Sequence, residues 1–223
     1  MIKINNVSKS YKEANETVYA IKGVSLEIYD NELTFILGSS GSGKSTLLSL
    51  IGGIDKLDSG SIYYNDERID SDGRKTKDYI SFVFQEYNLI DSETVEYNLK
   101  IGNSSGDILK ALDRVNLAGY ANKLVKDLSG GEKTSVQIAR AIIREPKILL
   151  CDEPTGSLDD ENTKLIFSLL KELSKEMLVI AVSHDRDSAS NYGDRIIELE
   201  DGVVIADEEK KSIPLMSLII LKR

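Results

Sequence analysis

The sequence predicts an α/β fold in which a mostly parallel β-sheet is flanked by helices. Short apolar runs suit strands that are buried on both faces, and segments with apolar residues at helical spacing come between them. The predicted strands are Leu33–Leu37, Ile80–Phe84, Lys147–Cys151 and Met177–Val182. Strands that alternate with helices along a chain favour a parallel sheet, because each helix returns the chain to the edge where strands begin.

Two patterns near the ends of the chain predict antiparallel strands. Residues 2–7 and 24–28 alternate apolar and polar side chains, which predicts an N-terminal antiparallel β subdomain with one face in water. Residues 194–199 and 203–206 form a second predicted pair around Asp201-Gly202, a dipeptide that favours a type I′ hairpin.

The middle of the chain predicts a helical subdomain at about residues 92–127. Its apolar residues follow helical spacing at Ile108, Leu109, Leu112 and Val115. A charged, turn-rich run before it, residues 66–78, is predicted to be an exposed loop.

A glycine-rich stretch follows the first buried strand. Residues 38–46 have the G-x-x-x-x-G-K-S/T spacing of a phosphate-binding P-loop. Glycines let the backbone approach a phosphate closely, and successive N–H groups at a helix N-terminus form an anion site. Lys44 would supply a full positive charge to the phosphates, and Ser45 a hydroxyl group to Mg²⁺. The residues expected to contact a nucleotide here are Ser39, Gly41, Ser42, Gly43, Lys44, Ser45 and Thr46.

Polar residues that follow other buried strands predict the rest of the site. Asp152 and Glu153 directly follow Lys147–Cys151, and adjacent carboxylates at a buried strand end are costly unless they are used. Neighbouring strand residues point to opposite faces, so Asp152 is expected to reach Mg²⁺ and Glu153 to polarise a water molecule. Gln85 and His184 also follow strands, at the edge where open α/β sheets bind ligands.

The stretch Leu128-Ser129-Gly130-Gly131-Glu132 begins another helix pattern and has two interpretations. Ser129 and Glu132 have the spacing of a capping box, which is a complete structural explanation. Alternatively, the two glycines at a helix start form a second anion site.

Composition restricts the function classes further. The chain has 223 residues, a net charge of −9 and a pI of about 4.8. An acidic surface argues against a nucleic-acid partner. The single cysteine, Cys151, fits a reducing compartment. No stretch reaches the roughly 18 apolar residues that span a bilayer, and no signal-peptide pattern is visible, so the expected location is cytosolic.

Together these motifs resemble the ATP-binding subunit of an ABC transporter. Six features occur in the order that is typical of that family: the P-loop, Gln85, LSGGE at 128–132, ILLCDEP at 148–154, SLD at 157–159 and His184. The resemblance covers about residues 1–208, predicted as one ATP-binding domain. Three longer stretches are similar to the macrolide-exporter and lipoprotein-releasing branch of the family (MacB/LolD/FtsE-like). They are IGGIDKLDSG at 51–60, FVFQEYNLI at 82–90 and DEPTGSLD at 152–159.

The resemblance implies ATP and Mg²⁺ as cofactors and gives each predicted residue a role. Mg²⁺ would be held by Ser45, Gln85 and Asp152. Glu153 would act as general base or water orienter, and His184 would contact the γ-phosphate. Tyr11 would stack on the purine ring, although from the residues alone it is one of ten tyrosines, and Tyr19 is its nearest competitor.

The resemblance also implies two partners. In a head-to-tail dimer, Ser129, Gly130 and Gly131 of one subunit would cap the nucleotide bound by Lys44 of the other, and Asp159 would lie at the interface. A membrane permease would dock near Glu86–Asp91, with the subunit at the cytoplasmic face of the membrane. The dimer would power export or extraction of a peptide, lipoprotein or hydrophobic drug. The alternative is a non-transporting membrane signalling complex of the cell-division type.

Some positions depart from the family pattern. Asn31 stands where the family usually has glycine. The stretch Glu132-Lys133-Thr134-Ser135 stands where relatives usually carry glutamines and an arginine. The tail, residues 209–223, has two interpretations: a short packed or frayed segment, or the start of a linker to a fused permease.

Overall fold

Two β-sheets organise the chain, which a computed structural model describes at residues 1–13, 16–69 and 79–210. The strands are β1 (Ile2–Glu13), β2 (Glu16–Ile28), β3 (Leu33–Leu37), β4 (Ser59–Tyr64), β5 (Glu67–Arg68), β6 (Ile80–Val83), β7 (Ile148–Asp152), β8 (Leu178–Ser183), β9 (Arg195–Glu200) and β10 (Val203–Glu209). The helices are α1 (Lys44–Ile51), α2 (Val95–Gly102), α3 (Ile108–Arg114), α4 (Gly130–Ile142), α5 (Asp160–Leu173) and α6 (Arg186–Tyr192).

The larger sheet has the strand order β10-β9-β3-β8-β7-β6, and the smaller has β2-β1-β4-β5. All pairs from β9 to β6 are parallel, whereas β9 and β10 form an antiparallel hairpin. The smaller sheet is antiparallel throughout. The predicted α/β fold with a mostly parallel sheet and an antiparallel N-terminal part is therefore confirmed.

Strand β3 lies between β8 and β9, near the middle of the larger sheet. Phe35 belongs to the apolar core on one face, and Ile36 to the core on the other. Every residue of β3 is buried, because helices pack on one face while α1 and the smaller sheet pack on the other. The fixed position of β3 determines where the P-loop begins.

The N-terminal hairpin is longer than the sequence pattern predicts. The predicted strands 2–7 and 24–28 are the far ends of β1 and β2, whose pairing continues to Glu13 and Glu16. The side chains of β2 before Ala20 are exposed, so the strand carries no apolar alternation there while its backbone pairing continues. Tyr11 consequently lies on a strand, opposite Val18.

Turn predictions are confirmed where the structure describes the turn. Asp201 and Gly202 have φ angles of 47° and 78°, as a type I′ hairpin requires at both central positions. Asn31 has a φ of 59°, in the left-handed region that asparagine tolerates better than most residues.

Two predictions fall mainly on residues outside the described ranges. They concern the loop at 66–78, described only to residue 69, and the tail at 209–223, described only to residue 210. In the described ranges, no helix has the length and apolar character needed to cross a membrane.

Replacing Phe167 by alanine is expected to lower the free energy of unfolding by about 3–5 kcal/mol, because it leaves a cavity in the core. Phe167 is fully buried on α5, and its ring centroid lies 5.1 Å from that of Phe35. Urea unfolding measures the change. Leu165→Ala on the same helix is the control, since Leu165 is exposed and its loss should cost about 0.5 kcal/mol or less. Equal losses in both variants would contradict the assigned packing.

Candidate functional site

The P-loop connects β3 to α1 and places the lysine at the first position of that helix. Gly43 precedes it with a φ of 102°, and a Cβ there would lie 2.3 Å from the carbonyl oxygen of Ala20. Only glycine fits this position. The Nζ of Lys44 donates to the carbonyl oxygens of Gly38 and Ser39, at 2.9 and 2.8 Å.

Lys44 is 6% exposed, and in the described ranges it forms no ion pair with a carboxylate. A buried ammonium group whose hydrogen bonds go to carbonyl oxygens is costly, and a bound anion would offset that cost. The P-loop therefore fits a phosphate group by charge as well as by its backbone.

The turn of the β9–β10 hairpin supports the P-loop from one side. The amide of Gly202 donates to the carbonyl oxygen of Ser42 at 3.0 Å, and the amide of Lys22 donates to the carbonyl oxygen of Gly202 at 2.9 Å. The sequence predicts the hairpin but not this support, because no local pattern links residue 202 to residue 42.

Ser45 and Asp152 meet as the sequence predicts. The Ser45 hydroxyl donates to Oδ1 of Asp152 at 2.8 Å, which joins the start of α1 to the end of β7. Burial raises the pKa of the Asp152 carboxyl, and the Ser45 hydrogen bond opposes that rise. A hydroxyl and a carboxylate are hard oxygen donors, and Mg²⁺ in nucleotide sites takes one or two such groups plus phosphate oxygens. The donor set therefore fits Mg²⁺.

Gln85 lies at the same edge of the sheet. Val83 pairs with Cys151 in the parallel register of β6 and β7, so Gln85 follows β6 at the level where Glu153 follows β7. The side chain of Gln85 is exposed.

Glu153 and His184 lie together at the ends of β7 and β8. Oε2 of Glu153 lies 3.3 Å from Nδ1 of His184, and both residues line a cavity of about 330 Å³. Asp152 and Glu153 have different partners, as predicted, but the reason is not the alternation of side chains along a strand. Glu153 has a φ of 45°, so the chain leaves the strand there and turns the carboxylate toward His184.

Tyr11 and Tyr19 both line a cleft of about 550 Å³ that also contains the P-loop residues Gly43, Lys44 and Ser45. The cleft lies between the N-terminal hairpin and α1. Both candidate tyrosines are thus beside the phosphate site, and the hydroxyl of Tyr11 donates to Oδ2 of Asp55 at 2.7 Å.

The LSGGE stretch caps α4, so its structural interpretation is confirmed. Ser129 Oγ accepts from the amide of Glu132 at 3.3 Å, and Oε2 of Glu132 accepts from the amide of Ser129 at 2.8 Å. The hydrogen bond from the Ser129 amide is the main cause that lowers the pKa of the Glu132 carboxyl. A second hydrogen bond, from the Tyr120 hydroxyl, lowers it further.

Gly131 packs against the start of α5. A Cβ at Gly131 would lie 2.3 Å from Oδ1 of Asn162. Asp159 is the N-cap of α5, and its Oδ1 accepts from the backbone amide and from Nδ2 of Asn162. No residue of 129–131 lines the P-loop cleft. The chain therefore brings the P-loop, Asp152, Glu153 and His184 to one edge, but leaves the LSGG glycines elsewhere.

Polar side chains of α4 hold the segment after Gln85, and sequence reasoning missed them. Gln137 is 2% exposed, and its Nε2 donates to the carbonyl oxygens of Phe84 and Glu86, at 2.8 and 3.0 Å. Arg140 donates to the carbonyl oxygens of Asn88 and Tyr87.

The same face of α4 adds an ion pair, between Lys133 and Asp91 at 3.1 Å. The sequence signal for these contacts was Gln137, a polar residue between apolar neighbours that are buried. Because buried polar groups require hydrogen-bond partners, its position indicates that it contacts another segment.

Comparison with known proteins agrees with this geometry. The family model described as "ABC transporter" matches residues 21–156, which is more than half of the chain. The chain belongs to the ABC transporter family. It is an ATPase of the ABC type.

Three relatives place it more closely. An ABC transporter ATP-binding protein of Methanocaldococcus jannaschii, MJ0796, is 41% identical, with 94% of this chain and 97% of that protein covered. A lipoprotein-releasing system ATP-binding protein, LolD, of Saccharophagus degradans is 38% identical, with 92% and 96% covered. A macrolide export ATP-binding/permease protein, MacB, of Chlorobaculum tepidum is 37% identical, but only 35% of it is covered, with 96% of this chain.

The fold agrees with a solved structure of the first relative. That structure shows MJ0796 as a dimer in a post-hydrolysis state bound to ADP and Pi. Its TM-score to this chain is 0.83 at 38% sequence identity, and the match covers 95% of this chain and 100% of the MJ0796 chain. These relatives agree with the predicted macrolide-exporter and lipoprotein-releasing branch.

Lys44→Ala is expected to weaken MgATP binding about 100-fold or more, because it removes the one full charge of the P-loop. Isothermal titration calorimetry measures the dissociation constant. Lys3→Ala on the exposed face of β1 is the control and should bind as the wild type does. Unchanged ATP affinity in Lys44→Ala would exclude the P-loop assignment.

Gln137→Ala is expected to speed amide hydrogen exchange in residues 84–91, because it removes two hydrogen bonds to the backbone of that segment. Exchange followed by mass spectrometry measures this. Ser135→Ala, on the same helix, should leave the segment's exchange at the wild-type rate. If both variants exchange alike there, Gln137 does not hold the segment.

Proposed function

We propose that this chain hydrolyses ATP as one half of a head-to-tail dimer that drives a membrane permease. The observation that carries the proposal is the 2.8 Å hydrogen bond from Ser45 to Asp152, which unites the P-loop with the end of β7. It brings the phosphate-binding loop, a hard-oxygen pair and the Glu153–His184 pair to one edge of the sheet.

The ground-state nucleotide is held by the P-loop, and Tyr11, which lines the same cleft, stacks on its purine ring. The P-loop amides and Lys44 bind the phosphates, and Ser45, Asp152 and Gln85 would hold Mg²⁺. The ion would supply positive charge against the negative charge that develops during phosphoryl transfer. Phosphoryl transfer mainly requires position and charge, and these side chains supply both.

Glu153 accepts the proton of the attacking water or orients that water. Its left-handed backbone turns the carboxylate out of the strand, and 23% of its side chain is exposed, so it is accessible from the cavity. His184, with 69% of its side chain exposed and 3.3 Å from Glu153, is available to contact the γ-phosphate.

The second half of the site comes from the partner subunit. Ser129, Gly130 and Gly131 begin α4, whose first amides have no acceptor within the helix and suit an anion. They lie outside the P-loop cleft of their own chain, so a twofold dimer is needed to bring them to a nucleotide. Asp159 lies beside them through Asn162 and would belong to the same interface. The dimeric MJ0796 structure bound to ADP and Pi supports this arrangement.

The permease docks on the segment Glu86–Asp91 at the cytoplasmic face of the membrane. The carbonyl oxygens of this segment are held by α4, so a displacement on docking would pass to the LSGG motif. The transported class is a peptide, lipoprotein or hydrophobic drug that is exported or extracted. The lipoprotein-releasing LolD supports the lipoprotein, and the macrolide-exporting MacB supports the drug.

Glu153→Gln is expected to lower kcat about 100-fold or more, as loss of a general base does, and to accumulate an ATP-bound dimer. Phosphate release measures the rate, and size exclusion in MgATP measures the dimer.

Glu172→Gln, at the far end of α5, is the matched control and should hydrolyse ATP at the wild-type rate. Wild-type turnover in Glu153→Gln would exclude Glu153 as the catalytic carboxylate. A variant that is inactive but monomeric in MgATP would contradict the dimer.

A further inference from the structure

We propose that Asp55 is a positioning residue for the nucleotide base and acts through Tyr11. This inference rests on the proposed function, in which Tyr11 stacks on the purine of ATP. Asp55 does not itself line the P-loop cleft, whereas Tyr11 does.

The hydroxyl of Tyr11 is fixed at its outer end. It donates to Oδ2 of Asp55 at 2.7 Å, and the ring itself lines the cleft with the P-loop residues Lys44, Ser45 and Thr46. Tyr11 is 38% exposed, so the surrounding side chains do not enclose it. A hydrogen bond at the phenol oxygen therefore restricts the rotation that an exposed ring would otherwise have.

Asp55 is in turn held rigidly. Its Oδ1 accepts from the Nζ of Lys9 at 2.8 Å and from the amide of Lys56 at 2.6 Å. Lys9 is 8% exposed and also donates to the carbonyl oxygen of Lys56 at 2.8 Å. Asp55 follows α1 by a few residues, so the orientation of Tyr11 is tied to the helix that Lys44 begins.

Lys9 determines which face of the ring is available. Its Nζ lies 4.8 Å from the centroid of the Tyr11 ring, in a cation–π contact. Lys9 does not line the cleft, although Tyr11 does. The lysine therefore covers one face of the ring and leaves the other face to a base.

A purely structural role would be to fasten β1 to the loop after α1. Asp58 already does this, because its Oδ2 accepts from both the amide and the hydroxyl of Ser10, at 2.7 and 2.6 Å. The Asp55–Tyr11 hydrogen bond is a separate contact, made by the one side chain of this cluster that lines the cleft.

The test compares binding of MgADP with binding of magnesium pyrophosphate, which has the phosphates but no base. Calorimetry is performed on the full chain and on Tyr11→Phe, Tyr11→Ala, Asp55→Asn and the double variant Tyr11→Phe with Asp55→Asn. Tyr29→Phe is the matched control, since Tyr29 is also an exposed tyrosine but does not line the cleft.

Tyr11→Phe keeps the ring and removes only the hydroxyl. It should weaken MgADP about threefold to tenfold, the worth of one hydrogen bond, and leave pyrophosphate affinity within about twofold. Adding Asp55→Asn to Tyr11→Phe should change MgADP affinity by less than about twofold, because Asp55 acts through the hydroxyl. Tyr29→Phe should bind both ligands as the wild type does.

Two results would overturn the positioning role while stacking survives. One is wild-type MgADP affinity in Tyr11→Phe with a clear loss in Tyr11→Ala. The other is an equal loss for MgADP and pyrophosphate in Tyr11→Phe, which would indicate a structural effect on the P-loop. If even Tyr11→Ala binds MgADP normally, the stacking role in the proposed function fails as well.

Discussion

The buried ammonium group of Lys44 is the constraint on which the site depends. Its hydrogen-bond partners among the described residues are the carbonyl oxygens of Gly38 and Ser39, and the Asp152 carboxylate attracts it without forming an ion pair. The fold holds it in place from two directions. Strand β3 is buried on both faces and fixes the start of the loop, and the amide of Gly202 holds the loop at Ser42. These contacts restrict the conformation of the loop, which lowers the entropic cost of binding.

Consecutive carboxylates at a strand end acquire different environments through the backbone. Asp152 is the last residue of β7 and pairs with Val182 in register, so it stays in the sheet plane beside Ser45. Glu153 still donates its amide to the carbonyl oxygen of Val182, but its φ of 45° turns its side chain toward His184. A left-handed non-glycine residue is costly, and such strain is concentrated at functional sites. One strand end therefore supplies two carboxylates with different partners, the Ser45 hydroxyl for Asp152 and the His184 imidazole for Glu153.

Sequence predicts the fold and the residues of this edge well, because each signal is local. The P-loop spacing, the apolar runs and the capping box of Ser129 each lie within a few residues, and all three match the structure. The full length of the N-terminal hairpin is not predictable from side-chain alternation, because its outer part pairs through the backbone alone. Contacts such as Gly202 with Ser42, or Gln137 with Phe84, join residues far apart in sequence and leave no periodic pattern.

Helix α4 joins the two regions to which the proposed function assigns capping of the nucleotide and docking of the permease. Its N-terminus carries the LSGG glycines, and along its side Lys133, Gln137 and Arg140 hold residues 84–91. Lys133, Gln137 and Arg140 recur every three or four residues, so they lie along one face of the helix. Gln137 is too buried to lose its partners cheaply, which makes α4 and the segment after Gln85 a single mechanical unit. In the proposed dimer, a displacement of that segment on permease docking would pass through α4 to the LSGG end, and nucleotide engagement at that end would pass back to the segment.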